Sequence, residues 1–97
     1  MLNSKQRKYL KGLAHDLEPI VMIGKEDVTD NIMKELDVNL EKRELIKVKI
    51  QDGSVLKPKE TANELAKELK AEFVQAIGHK FVLYRRSKEE PRIILPD

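Results

Sequence analysis

The stretch QAIGHKFVLYRR, residues 75–86, decides the fold because it joins two strand-like segments through a short turn. Residues 72–78 (EFVQAIG) and 80–86 (KFVLYRR) are rich in aromatic and β-branched side chains, which are typical of strands. Gly78 permits a tight two-residue turn. We therefore predict an antiparallel hairpin that closes the sheet of this chain.

Upstream of the hairpin, amphipathic segments alternate with apolar ones. Helical periodicity predicts helices over residues 4–15, 28–43 and 58–70, and apolar or alternating runs predict strands over residues 19–24 and 44–50. The order is α-β-α-β-α-β-β. We expect a single compact α/β domain over residues 1–97, with helices packed on a four-stranded mixed sheet. The last segment, RIILPD, either adds an edge strand or packs without one.

The composition suits a soluble globular protein with a heavily charged surface. Of the 97 residues, 40% are hydrophobic and 37% are charged, and the net charge is +2. There is no cysteine, which excludes disulfides and thiolate chemistry. The first residues lack the apolar run of a signal peptide, and no stretch approaches the length of a membrane span. We expect a cytoplasmic protein, a monomer, with no membrane partner.

The charges are unevenly distributed along the chain. Residues 1–25 carry five Lys or Arg and two acids, whereas residues 26–46 carry three Lys or Arg and seven acids. A domain polarised in this way can hold an anionic polymer on one side. The basic residues of the first helix cluster within two turns without an acid among them. Most charged helix faces carry both signs, because Glu–Lys pairs stabilise them, so this arc predicts anion binding by Lys5, Arg7, Lys8 and Lys11.

Two further sites could contact an anion. The hairpin tip exposes backbone N–H groups beside a lysine, although a glycine there is also ordinary hairpin geometry. Lys25 follows the first predicted strand, in the position where open α/β sheets often bind ligands, although an ordinary turn explains it equally well. Lys47 and Lys49 add to the surface if their strand face is open. The candidate residues outside the first helix are Lys25, Gly78, His79, Lys80, Arg85 and Arg86.

Catalytic patterns are absent from the sequence. His15 and His79 lie far apart, without cysteine or a helical H-x-x-x-H spacing to suggest a metal site. No phosphate-binding loop of the G-x-x-x-x-G-K type and no nucleophile elbow occurs. We predict a protein that is not an enzyme and that uses no metal or cofactor.

Three motifs together, KQRKYLKGLAHDLEPIVMIGK, ELIKVKI and VQAIGHKFVLYRR, resemble the CRM domain family (chloroplast RNA splicing and ribosome maturation). The resemblance is greatest to its stand-alone bacterial YhbY-like members and covers nearly the whole chain. It implies a fold similar to the C-terminal domain of translation initiation factor 3. It also implies a GxxG-like loop that contacts RNA phosphates, which here reads Gly78-His79-Lys80-Phe81, with phenylalanine in place of the second glycine.

The function implied by this resemblance is binding of ribosomal RNA in precursors of the large ribosomal subunit, with assistance to ribosome maturation. The tip and Arg85-Arg86 would then form one part of an RNA-backbone surface and the basic helix another. A protein-interaction module is the alternative, in which the basic helix docks on an acidic ribosome-associated partner. An intron-RNA or tRNA chaperone is a second alternative.

Overall fold

The computed structural model describes residues 1–25 and 27–97 and confirms the order α-β-α-β-α-β-β. The elements are α1 (Ser4–Ala14), β1 (Val21–Ile23), α2 (Asp30–Arg43), β2 (Leu45–Ile50), α3 (Pro58–Leu69), β3 (Glu72–Ile77) and β4 (Lys80–Tyr84). Within the described ranges, no helix combines the length and the apolar character needed to span a bilayer.

The four strands form one mixed sheet in the order β1-β2-β4-β3, which confirms the predicted fold class. β1 runs parallel to β2, whereas β4 runs antiparallel to both β2 and β3. Strands β2 and β3, which are connected through α3, are not neighbours in the sheet, because β4 lies between them. The last strand in the sequence is therefore a central strand of the sheet.

Helices α2 and α3 cover one face of the sheet and form the main core with it. Alternation along the strands points Val48 of β2 and Phe81 of β4 toward these helices, where both are fully buried. From the helices, Leu36 and Leu40 of α2 and Leu65 of α3 enter the same cluster. The side chains that this face of the sheet presents to α2 and α3 are therefore packed in the core.

Helix α1 covers the opposite face of the sheet, but only in part. Its Leu10 and Ala14 are fully buried against strand residues at one end of the sheet, including Val74 and Tyr84. The rest of this face is open. Met22, the central residue of β1, is 57% exposed, so β1 is buried on one face only.

The helix starts follow the local sequence. Asn3 caps α1 in a capping box with Gln6, each side chain accepting a hydrogen bond from the other residue's backbone N–H, at 2.8 and 3.1 Å. Thr29 caps α2 by accepting from the Ile32 N–H at 3.2 Å. Pro58 is the first residue of α3, where its missing N–H costs no hydrogen bond.

The segment after β4, residues 85–97, forms no helix or strand and packs instead. Two carboxylates at the end of α2 hold it in place. Glu44 accepts from the backbone N–H groups of Ser87, Arg92 and Ile93 at 2.7–2.8 Å, and Glu41 accepts from the Ser87 hydroxyl at 2.6 Å. Glu41 and Glu44 therefore have a structural role.

Candidate nucleic-acid interface

The uncovered part of the α1 side of the sheet is a surface with lysines and no carboxylate among the strand residues that point to it. We call it the open half of the sheet, defined by Met22, Lys47, Lys49, Gln75, Ile77 and Lys80. The strand register places four of these side chains in one row across the sheet, in the order Met22, Lys49, Lys80 and Ile77. Successive strands lie about 4.8 Å apart, so the row is about 14 Å long.

Lys49 and Lys80 lie directly opposite each other in the antiparallel β2–β4 pair. Like charges in such positions repel and destabilise a sheet. In the described part of the chain, no carboxylate lies within 4.0 Å of the ammonium group of Lys47, Lys49 or Lys80. An anion bound over this row would relieve the repulsion.

Helix α1 borders the open half of the sheet with its basic side. Gln6 donates to the Pro96 carbonyl at 3.0 Å, and Leu13 and Ile93 line one groove, so this flank of α1 faces the segment after β4. At 3.6 residues per turn, Arg7 and Lys11 lie on the opposite flank, toward the open half of the sheet. Lys5, Lys8 and Lys11 are exposed, and Arg7 is half-buried.

The buried side of α1 is narrow. Leu10 and Ala14 are buried, but Tyr9, Leu13 and Leu17 remain about 40% exposed. Helix α1 therefore touches the sheet along a narrow stripe, and that stripe leaves half of the sheet face accessible.

Three loops meet at the end of the sheet beyond this row. The His79 carbonyl accepts from Ile50 N–H at 2.8 Å, and the Ile23 carbonyl accepts from Gln51 N–H at 2.8 Å. The Lys25 carbonyl accepts from the Ser54 hydroxyl at 3.0 Å. The structure thus brings Lys25 and the hairpin tip, which the sequence predicted as separate candidates, to the same end of the sheet.

The hairpin tip is a two-residue turn formed by Gly78 and His79. Gly78 has φ = 59°, a conformation that favours glycine, and His79 is not among the residues with positive φ. His79 Nε2 lies 3.7 Å from Asp52 Oδ1, and its side chain is 58% exposed. Phe81 is fully buried in β4, so the segment Gly78-His79-Lys80-Phe81 is a turn running into a core strand rather than a four-residue exposed loop.

Arg85 does not belong to this surface, and the prediction of an RNA contact by its side chain is corrected. Its side chain is only 15% exposed. Nη1 donates to Asp37 Oδ1 at 2.7 Å and to the Leu69 carbonyl at 3.0 Å, and Nη2 donates to the Asp37 carbonyl at 3.0 Å. The guanidinium joins α2, α3 and the end of β4, which is a structural role.

Arg86 is exposed but lies far from the hairpin tip. It follows the end of β4 opposite to Lys80, about 20 Å away along an extended strand. It borders a depression with Tyr84 and Ile93. The tip and Arg85-Arg86 therefore do not form one contact surface, although the sequence joined them.

Lys47 and Lys49, which the sequence predicted to contribute only if their strand face is open, are central to the site. Their alternation with Ile46, Val48 and Ile50 was the visible signal, but the position of α1 decides whether their face is open. No cluster of three or more His, Cys, Asp or Glu able to hold a metal ion occurs among residues 1–25 and 27–97.

A family model matches residues 2–85 of the chain, and its description is the CRS1 / YhbY (CRM) domain. Similar curated proteins include "Probable RNA-binding protein YqeI" of Bacillus subtilis, 42% identical over 99% of this chain and 100% of the relative. A Haemophilus influenzae protein named "RNA-binding protein" is 44% identical over 98% of this chain and 95% of the relative.

A solved structure shows the same fold. The solution structure of SAV1595 from Staphylococcus aureus matches with a TM-score of 0.84 and 45% identity, and covers 99% of this chain and 100% of that one. At 45% identity the likeness is one of sequence as well as of fold.

Proposed function

Since the chain belongs to the CRS1/YhbY (CRM) domain family, we propose that it is a non-enzymatic RNA-binding protein that contacts phosphates through α1 and the open half of the sheet. The observation that carries this proposal is the pair Lys49 and Lys80, which lie opposite each other with no carboxylate within 4.0 Å in the described part of the chain. Two relatives of nearly equal length are named RNA-binding proteins, which supports RNA as the anion.

The proposed contact residues lie on three neighbouring parts of the molecule. Of the cations of α1, Arg7 and Lys11 lie on the flank toward the open half of the sheet, whereas Lys5 and Lys8 lie on the outer side of the helix. The loop end contributes Lys25 and the tip. Phosphate contacts position a protein but carry little sequence information. The proposed phosphate contacts are Lys5, Arg7, Lys8, Lys11, Lys25, Lys47, Lys49, Gly78, His79 and Lys80.

The finer proposal is that the RNA is ribosomal RNA of large-subunit precursors, bound by a cytoplasmic monomer during ribosome maturation. It rests on the resemblance of the three motifs to stand-alone YhbY-like proteins. Ultraviolet crosslinking in growing cells, followed by sequencing of the attached RNA, tests it. We expect enrichment of large-subunit ribosomal RNA with reads that extend into precursor ends, and enrichment of transfer or intron RNA instead would contradict it.

A protein partner is the second candidate, favoured by one specific observation. Beside α1, the exposed Leu13 and Leu17 line a groove of about 320 Å³ together with Arg43 and Arg92. An acidic, partly apolar protein segment is complementary to such a groove. Complexes purified from cells should resist ribonuclease if this candidate is right, and should fall apart if RNA holds them together.

A further inference from the structure

A pocket lies within the open half of the sheet, beside the row of lysines. It has a volume of about 200 Å³, and its lining includes Lys47, Gln75, Ile77, Lys80 and Val82. Pockets for drug-sized ligands are larger, roughly 300–1,000 Å³. The pocket therefore suits one planar ring system rather than a larger molecule.

Gln75 gives this pocket a polar group of a particular kind. Its amide carries both a donor and an acceptor, and its side chain forms no hydrogen bond with any group in residues 1–25 or 27–97. A phosphate needs donors alone, which Lys47 and Lys80 supply. A nucleobase edge presents donors and acceptors together, which is the pattern that an amide matches.

The apolar groups of the open half of the sheet also favour a base. Ile77 is 68% exposed and lines the pocket, and Met22 is 57% exposed at the other end of the same row. Exposed apolar side chains offer nonpolar surface that is buried favourably when the face of an unpaired base packs against it. The bases of an A-form duplex are stacked and paired, so a base that enters this pocket must be unpaired.

The geometry points to a nucleotide-binding subsite in which an unpaired base enters the pocket, the Gln75 amide pairs with its edge, and Lys47 and Lys80 hold the adjacent phosphates. This inference rests on the proposed RNA-binding function and adds the class of RNA, a single-stranded segment. The charge pattern supports this occupant, since three lysines without an acidic neighbour complement a single polyanionic strand.

The test compares the binding of labelled eight-nucleotide homopolymers of A, C, G and U with that of a blunt twelve-base-pair RNA duplex. The variants are Gln75→Leu, which replaces the amide with an uncharged side chain that cannot form hydrogen bonds, and Ile77→Ser. Val38→Ser serves as the control, because Val38 is 52% exposed on α2, away from the open half of the sheet. Circular dichroism confirms that each variant is folded.

We expect the wild type to prefer one homopolymer, and Gln75→Leu to weaken that complex about tenfold, the effect of one good amide–base contact. Ile77→Ser should weaken all four homopolymers, while duplex affinity stays unchanged in both variants. If the substitutions change the affinity for duplex and for single strands equally, or leave single-strand affinity unchanged in both variants, the proposed subsite is wrong. The proposal of RNA binding would still stand. Failure of the wild type to bind either kind of RNA would overturn both proposals.

Discussion

Glu44 is the buried acid on which the end of the chain depends. It is fully buried, and its backbone has φ = 67°, which an amino acid with a side chain rarely adopts. Its carboxylate accepts hydrogen bonds from three backbone N–H groups that follow it in the sequence by 43 to 49 positions. Burial by itself would raise the pKa of Glu44, but these three donors and the nearby Arg86 outweigh it and lower that pKa.

Replacing Glu44 with glutamine should therefore destabilise the protein. Glutamine keeps the shape but places an NH₂ group where an acceptor is needed, and hydrogen bonds to charged groups contribute more than neutral ones. We expect Glu44→Gln to lower the free energy of unfolding by roughly 2 kcal/mol, measured by urea denaturation. Glu35→Gln, an exposed change on the same helix, is the control and should have little effect. Equal stability of the two variants would contradict the structural role of Glu44.

Replacing Gly12 should stabilise the protein. It lies in α1 on the exposed side, between the directions of Lys5 and Lys8, and a methyl group there would meet nothing within 4 Å. Because glycine in a helix interior costs about 1 kcal/mol relative to alanine, Gly12→Ala should raise the melting temperature. A melting temperature that stays the same or falls would show that the helix depends on glycine in a way that the structure does not reveal.

At the scale of the element, the end of α2 works as a clamp for the segment after β4. Glu41 and Glu44 lie one helical turn apart and both accept hydrogen bonds from that segment. The Ser87 hydroxyl and the Lys88 backbone N–H contribute most to lowering the pKa of Glu41. Burial opposes them, and the Glu89 N–H and Arg85 lower the pKa further, so the net direction is down. Both carboxylates are thus bound in their charged form.

The clamp makes stability depend on pH in one direction. Since both pKa values are lower in the folded state, the unfolded state takes up more protons as the pH falls, so the contribution is complete above the ordinary value of 4.5 and is lost below it. We expect the free energy of unfolding to fall between pH 5 and 3 more steeply in the wild type than in the Glu41→Gln/Glu44→Gln variant. If the free energy of unfolding falls equally steeply in the two proteins, Glu41 and Glu44 are not the cause of the pH dependence.

The sequence predicted the elements well because their signals are local. Helical periodicity and apolar or alternating runs gave boundaries that agree with the structure to within a few residues. It could not predict where α1 crosses the sheet, because that depends on contacts such as the hydrogen bond from Leu2 N–H to Glu72 Oε1, 70 positions apart. It also missed the partners of Asp37 and Arg85, because a distant ion pair leaves no pattern in either segment.

At the scale of the whole molecule, the charges are divided between two sides. The open half of the sheet and the exposed cations of α1 share one side, while α2, whose acids bind Arg85 and the segment after β4, packs on the other. The sequence predicted this polarity from the counts along the chain. The sequence joined Arg85 and Arg86 to the hairpin tip, whereas the structure places Arg85 against Asp37 and exposes Arg86 beyond the opposite end of β4.

The polarity predicts how RNA binding responds to charge. We expect Lys8→Glu/Lys11→Glu to remain folded, to weaken binding to duplex and single strands alike, and to reduce the dependence of affinity on salt, since fewer counterions are released. Titrations at several salt concentrations measure this. Lys34→Glu/Lys59→Glu carries the same change in charge on exposed positions of α2 and α3 and should bind more strongly than the α1 variant. If the affinity of the two variants for RNA depends on salt concentration to the same extent, the basic residues of α1 face solvent and do not contact RNA.

The central position of β4 has a consequence for the order in which the protein can fold. Without residues 80–84, β3 has no hydrogen-bonded neighbour, and β1–β2 remains a two-stranded fragment. A two-stranded unit is marginal in water. A nascent chain emerging from the ribosome therefore cannot complete its sheet until the strand that joins the two parts has been made. The surface proposed to bind RNA, to which β4 contributes Lys80 between β2 and β3, comes into existence in that same late step.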